Sequence, residues 1–206
     1  MNILGIDLSL NSPGLVILST LLKPTQLVDY YIGTTSRKRA LDNKHCFYIN
    51  NNKKLDVYKR TLEKIRTIRG FVLRIIRQYN IQYVAIEDYS YGSQGRSIYQ
   101  LGELHGVIKL ALYNMRIPFI TISPANIKFA ATGSGNSKKE EVISNIISKY
   151  KISFSVEGKV DDLYDAYVTC MLLYHKLNKT KELNKNIELA LTKVSKNGSL
   201  LNRDFI

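Results

Sequence analysis

Three aspartates fall within five residues of the stretch Lys159-Val160-Asp161-Asp162-Leu163-Tyr164-Asp165. On a helix, Asp162 and Asp165 share a face, and so do Asp161 and Asp165. An apolar run to Leu173 follows, which predicts a buried helix over about 160–177 with its carboxylates at the rim of a core. Carboxylates at close quarters repel one another and are costly to desolvate. A divalent cation is the usual relief. The plainer reading is a helix N-terminus, where aspartate caps the chain and suits the dipole. Two further acids shift the balance. Asp7 closes the apolar run from Ile3, and Glu87 closes the run from Ile81. Such oxygen donors favour hard ions, and Mg²⁺ tends to combine a few carboxylates with water and a substrate phosphate. A pair of ions can activate water and stabilise the leaving oxygen of a phosphodiester.

The rest of the composition suits that substrate. The chain of 206 residues carries 30 Lys+Arg against 17 Asp+Glu, a net charge of +13 that favours a polyanionic partner, nucleic acid ahead of an anionic membrane. The apolar fraction of 45% fits a folded globule, and the length fits one domain of ordinary size. Cys46 and Cys170 have no metal-ligand spacing, and a reducing compartment with free thiols is expected, hence a cytoplasmic location. The N-terminal residues do not read as a signal peptide, and no apolar run approaches membrane-spanning length. His45, His105 and His175 are too scattered to suggest a ligand set.

Elements that could position the acids are readable in order. Ile3 to Leu8, Leu15 to Leu22 and Gln26 to Gly33 predict three antiparallel strands, with turn chemistry at Ser12-Pro13-Gly14. A strongly amphipathic helix follows over 56–79, then a buried strand from Ile81 to Glu87. A helix over 97–115 carries the seam Leu101, Leu104, Ile108, Ala111 and Met115, suited either to a partner helix or to this chain's own sheet. Ile117 to Ile122 reads as a strand, Pro124 to about Ala131 as a helix, and 138–150 as another, with Ser137 as its cap. Leu183, Ile187 and Leu191 permit one more helix in the Lys/Asn-rich tail. The pattern is an α/β layer fold.

Basic and aromatic residues supply candidate contacts to a nucleic acid. The segment 36–60, read as a hairpin or irregular loop, holds eight basic residues, Lys53, Lys54, Lys59 and Arg60 among them, and is expected to meet phosphates. Tyr89, Tyr91 and Arg96 lie in or beside a Gly/Ser loop next to Glu87, a setting that suits stacking on an exposed base.

Six blocks together resemble the RuvC-type Holliday-junction resolvases. They are Ile3-Leu4-Gly5-Ile6-Asp7, Ala85-Ile86-Glu87, Leu101-Gly102-Glu103-Leu104-His105-Gly106, Pro124-Ala125-Asn126-Ile127-Lys128, Ser137-Lys138-Lys139 and Asp162-Leu163-Tyr164-Asp165-Ala166. Their order agrees with that family along residues 1–175, although no single block is specific. The resemblance implies an RNase H-like fold, with a central mixed five-stranded sheet whose first three strands are antiparallel, flanked by helices. It implies Asp7, Glu87, Asp162 and Asp165 as ligands of two Mg²⁺ ions, with Mn²⁺ as a substitute and Asp161 as an additional candidate. It also implies Lys128 and Lys139 beside the scissile phosphate, Lys138 near the strands, a homodimer, and four-way or other branched DNA as substrate, as in phage members of the group. The family's aromatic wedge lies just after the glutamate, where this chain has Ser90 between Tyr89 and Tyr91. The nuclease domain is expected over 1–177, with 178–206 as a partly helical extension.

Two rivals start from the same residues. A strand ending Gly-Ile-Asp also opens actin-like and sugar-kinase ATPases, but their second, Gly-rich phosphate turn is missing here. A non-catalytic binder of branched DNA would have no need of acids at all four positions.

Overall fold

In the computed structural model, residues 1–89, 95–178 and 185–197 are described, without the side chains of Arg96 and of 193–197. Six strands form one sheet: β1 (Asn2–Asp7), β2 (Gly14–Ser19), β3 (Leu27–Thr34), β4 (Cys46–Tyr48), β5 (Ile81–Glu87) and β6 (Phe119–Ile122), in the order β4-β3-β2-β1-β5-β6. β1, β2 and β3 pair antiparallel, whereas β5, β6 and β4 join in parallel. The helices are α1 (Arg37–Asp42), α2 (Val57–Gln78), α3 (Arg96–Asn114), α4 (Pro124–Thr132), α5 (Lys139–Asn145), α6 (Asp161–Asn178) and α7 (Lys185–Asn197).

Strand parity assigns each face its helices. Leu4, Ile6, Leu15, Ile17, Val84 and Ile86 point to a core shared with α2 and α3. Ile3, Val16, Leu18, Ala85, Ile120 and Ile122 point to the opposite core, filled by α6 and closed by α4, α5 and α7. Asp7 has the parity of Ile3, and Glu87 that of Ala85, so both acids lie on the α6 face at the ends of neighbouring strands. α6 can reach them because two strand residues on that face lack side chains. A Cβ built on Gly5 would stand 2.3 Å from the Ala166 carbonyl oxygen and 2.5 Å from the Cys170 Cβ. A Cβ on Gly14, the β2 partner of Asp7, would stand 2.1 Å from the Asp162 carbonyl oxygen.

Several elements differ from what the sequence suggests. The sheet has six strands rather than five, because part of segment 36–60 is ordered as α1 and β4. β4 is only three residues long, too short to show a period, and it is held from outside. It pairs with β3, while Phe47 stacks on Phe71 of α2 at 3.7 Å between ring centroids. Ser137 does not cap α5. It is buried and hydrogen-bonds the Thr132 hydroxyl at 2.8 Å, leaving Lys138 at the N-cap without a side-chain bond. α5 ends in a π-helical turn over Ile146–Tyr150, closed by Lys151 at φ 57°. On α3 the seam residues Leu104, Ile108 and Ala111 are buried in this chain's own core, which rules them out as a partner-helix contact. The tail helix α7 buries Ile187 and Ala190 in the same core as Ile127 and Ala130 of α4.

The glycine contacts yield a paired expectation. Gly14→Ala forces backbone apart and should cost about 3 kcal/mol, lowering Tm by roughly 10 °C. Gly70→Ala, in α2 where a Cβ would meet nothing within 4 Å, should instead stabilise by about 0.5–1 kcal/mol. Urea unfolding of the two variants beside the wild type measures both signs.

Candidate metal centre

Asp7, Glu87 and Asp165 each offer a carboxylate oxygen, and these oxygens all lie within 4.8 Å of one another. Asp7 comes from the end of β1, Glu87 from the end of β5, and Asp165 from the first turns of α6. Asp162, one turn earlier on α6, is 6% exposed and stands at the edge of the group. It accepts a hydrogen bond from the Ser12 hydroxyl at 2.5 Å. Asp161 lies farther out and pairs with Lys159 at 3.7 Å.

Three carboxylates at this spacing raise one another's proton affinity. Burial pushes the Asp7 carboxyl well up from the usual aspartate range, and repulsion from Asp162 and Asp165 adds to it. Burial likewise raises Glu87, reinforced by Asp7 and Asp165. Asp165 is raised by burial and by Asp162, against the pull of Lys139. Lys139 is the cation that the cluster has gathered. Its ammonium lies 3.6 Å from Asp165, 3.9 Å from Asp162 and 4.0 Å from Asp161. Burial works against its charge, but the attraction of Asp165, Asp162 and Asp7 prevails and raises its pKa.

One atom points to what is missing from this balance. Among the described residues, the buried Glu87 Oε2 has no hydrogen-bond partner. A buried carboxylate oxygen without a donor is costly. All the donors here are hard oxygens, and three converge, so the residues fit a divalent cation with room left for water or phosphate oxygen.

The other predicted residues are distributed around this centre. Lys138 is exposed at the start of α5. Lys128, on α4, makes no ion pair with the acids among the described residues. Lys53 and Lys54 are exposed in the turn before α2, and Lys59 and Arg60 lie on its first turns. Lys59 pairs with the capping Asp56 at 3.6 Å. Tyr89 is partly buried, its ring edge-on to His105 at 5.1 Å. Tyr91, Ser90 and the Arg96 side chain lie outside the described residues. Sequence reasoning missed two contributors. Ser12 read only as turn chemistry, and Lys159 only as a flank of the acids. His105, which the sequence did not place in a ligand set, is buried in the core against Tyr89. Burial, with Lys109 nearby, pushes its pKa down to about 4, although Asp88 opposes the shift.

A twisted sheet with carboxylates gathered at the ends of β1, β5 and α6, in a chain of +13 charge, is a nuclease type of scaffold. The comparisons narrow the class. The sequence profile of the family "Crossover junction endodeoxyribonuclease RuvC" matches residues 3–171, and the chain belongs to that family. The protein of that name from Ehrlichia ruminantium (strain Welgevonden) is 29% identical over 173 residues, covering 80% of this chain and 97% of its own. The one from Fusobacterium nucleatum is 27% identical over 131 residues, 61% of this chain and 68% of that protein. Among solved structures, Thermus thermophilus RuvC superposes with a TM-score of 0.63 at 20% identity, over 87% of this chain and 98% of its own. T. thermophilus RuvC in complex with a Holliday junction substrate gives 0.61 at 18%, over 86% and 95%. The shared fold is thus RNase H-like, with one more edge strand than the sequence suggests. Among the described residues, no helix is long and apolar enough to cross a membrane.

The raised acids set a pH dependence. A carboxyl with a higher pKa in the folded state binds more protons folded than unfolded, so its stabilising share is lost as pH rises. For Asp7 and Asp165 the loss begins near the ordinary aspartate value of 3.8 and continues to their raised folded values. Metal-free protein should therefore lose stability above that point, and Mg²⁺ should raise Tm more at pH 8 than at pH 5. Asp7→Asn should raise the metal-free Tm at pH 8 and abolish most of the Mg²⁺ increment. Differential scanning fluorimetry with EDTA or Mg²⁺ at both pH values measures this.

Proposed function

We propose that the chain is a structure-specific endonuclease that resolves four-way DNA junctions by hydrolysing one phosphodiester in each of two strands, using two Mg²⁺ ions or Mn²⁺ in their place. The observation that carries this reading is the convergence of Asp7, Glu87 and Asp165 around the unpartnered Glu87 Oε2, in a chain otherwise strongly basic. The name shared by the bacterial relatives and the junction substrate in the T. thermophilus complex support the choice of substrate. Forks and flaps present similar branches and are cut as well.

Each residue has a definite task. Asp7, Glu87 and Asp165 would hold the ions, and Asp162 would complete the set with its carboxylate oriented by Ser12. When bound, the ions lower the pKa of a water and neutralise charge on the phosphate. Lys139 cannot hold metal. Its ammonium, beside Asp165, would offset the charge that builds on an attacked phosphate. Lys128 and Lys138 reach the same strand farther along. Lys53, Lys54, Lys59 and Arg60 grip backbone phosphates, and Tyr89, Tyr91 and Arg96 meet bases at the branch. Residues 1–177 form the nuclease domain, and the extension 178–206 braces α4 through Ile187 and Ala190. The bacterial source of the relatives supports a location in the cytoplasm of a bacterial or phage-infected cell.

A four-way junction offers two equivalent strands, so a two-fold dimer matches its symmetry. The second copy docks on the α2–α3 face, where Tyr58, Leu62, Val107 and Leu110 line an apolar groove of about 370 Å³. Tyr58 and Leu110 are 59% and 60% exposed in the single chain, which suits burial by a partner.

Glu87→Gln should cut nicking of a labelled junction by more than about 100-fold, because removal of groups that merely orient metal ligands already costs 10–100-fold. Junction affinity measured in EDTA should stay within about threefold, since no basic contact is lost. A nicking rate equal to wild type would refute the site. Leu110→Glu should convert dimer to monomer in light scattering, and mapped products should change from paired to single nicks. A wild type that is monomeric both free and on junction DNA would refute the dimer.

A further inference from the structure

Beyond the acid cluster, a cleft of about 350 Å³ with a mixed apolar and basic lining lies against the loop that leaves β1. Its floor is Leu8–Asn11, and its wall is the first turns of α2, with Arg60, Thr61 and Lys64. The start of α3 closes it with Ser97 and Gln100. Three features give this cleft a chemistry. Two cations and several hydroxyl and amide groups line it, and no acid does among the described residues. Arg60 and Lys64 stand at i and i+4 on α2, an arrangement in which like charges destabilise a helix unless an anion joins them. The polar side chains are also held in place. The Lys64 ammonium donates to the Asn11 side-chain Oδ1 at 2.6 Å, and Gln100 Nε2 donates to the Thr61 hydroxyl at 2.9 Å.

The loop links the cleft directly to the acids. Asn11 bonds Lys64, and the next residue, Ser12, bonds Asp162. Consecutive Cα atoms are about 3.8 Å apart. One short segment thus contacts both Lys64 and the acid cluster, and Arg60 stands one helical turn before Lys64 on α2.

We infer that this cleft is a phosphodiester subsite, in which Lys64 and Arg60 grip a backbone phosphate of the strand that is cut, and Asn11 aims the Lys64 ammonium. The inference rests on the nuclease reading and refines it. The strand runs from the acids over Ser12 and Asn11 to Lys64, so the cleft sets which phosphate of that strand reaches the metal centre. Lys64 is a positioning residue: it holds the strand and does not touch the reacting atoms. Loosening this grip scatters the nick over neighbouring phosphates while the acids remain intact.

The test is a coupling experiment on a fluorescein-labelled four-way junction carrying a single neutral methylphosphonate, placed in turn at each phosphate within three nucleotides of the nick. Affinities are measured in EDTA for wild type, Lys64→Ala and Lys64→Arg. One methylphosphonate position should weaken the wild type about tenfold. Lys64→Ala should weaken binding to the unmodified junction by a similar factor and be indifferent to that one substitution. Its slope of log affinity against log salt should fall by about one. Lys64→Arg should restore the sensitivity. With Mg²⁺, Lys64→Ala should spread the mapped nicks over adjacent phosphates, and Lys64→Arg should restore the single nick. If the effects of Lys64→Ala and the methylphosphonates multiply at every position, Lys64 only anchors the loop and the subsite is overturned. A wild type that holds the junction no tighter than linear duplex overturns the junction reading instead.

Discussion

The contact on which the rest depends is the seating of α6 directly on the backbone of β1 and β2. Gly5 and Gly14 leave no side chain on that face, and the backbone of α6 fills the space that their Cβ atoms would occupy. This approach delivers Asp162 and Asp165 to strand-end acids that are otherwise far away in sequence. A helix resting on ordinary side chains would stand off by several ångströms, and Asp165 could not meet Asp7 and Glu87 within a single coordination sphere. The buried length of α6, from Leu163 to Leu173, makes the seating rigid, because those side chains fill the core between the sheet and α4.

That rigidity has an electrostatic cost. The fold holds carboxylates together that would separate in a looser structure, and burial removes the water that would screen them. Lys139 offsets part of the repulsion from its position at the start of α5, yet Glu87 Oε2 stays without a donor. The acids are therefore preorganised for cations at the expense of stability, the usual compromise of a site built before its ligand arrives. The loop from Leu8 to Ser12 extends the same logic outward. It fastens Asp162 through Ser12 and Lys64 through Asn11, so one short piece of backbone contacts both the acid cluster and Lys64.

Much of this organisation is legible in the sequence, and the limits are physical. Acids that terminate apolar runs, such as Asp7 and Glu87, stand out because burial is periodic and the exceptions to it are visible. The order of the six resemblance blocks indicates the family. What sequence cannot show is contact between distant segments. β4 is a strand only because β3 and Phe71 hold it, and three residues carry no period. Ser137 has the composition of a cap, but Thr132 draws its hydroxyl inward. The Leu104–Ile108 seam has the spacing of a helix partner surface, and its partner proves to be the core that the sheet and α2 of the same chain share. Asn11 and Ser12 look like any polar turn until their bonds to Lys64 and Asp162 are seen.

The account stands or falls on whether the carboxylates at the ends of β1, β5 and α6 hold divalent ions. Anomalous diffraction from crystals soaked in Mn²⁺ addresses this directly. The account predicts strong anomalous peaks within coordination distance of Asp7, Glu87 and Asp165, with the Lys139 ammonium displaced from Asp165. Peaks confined to surface carboxylates, with the triad unliganded and Lys139 still in place, would contradict it.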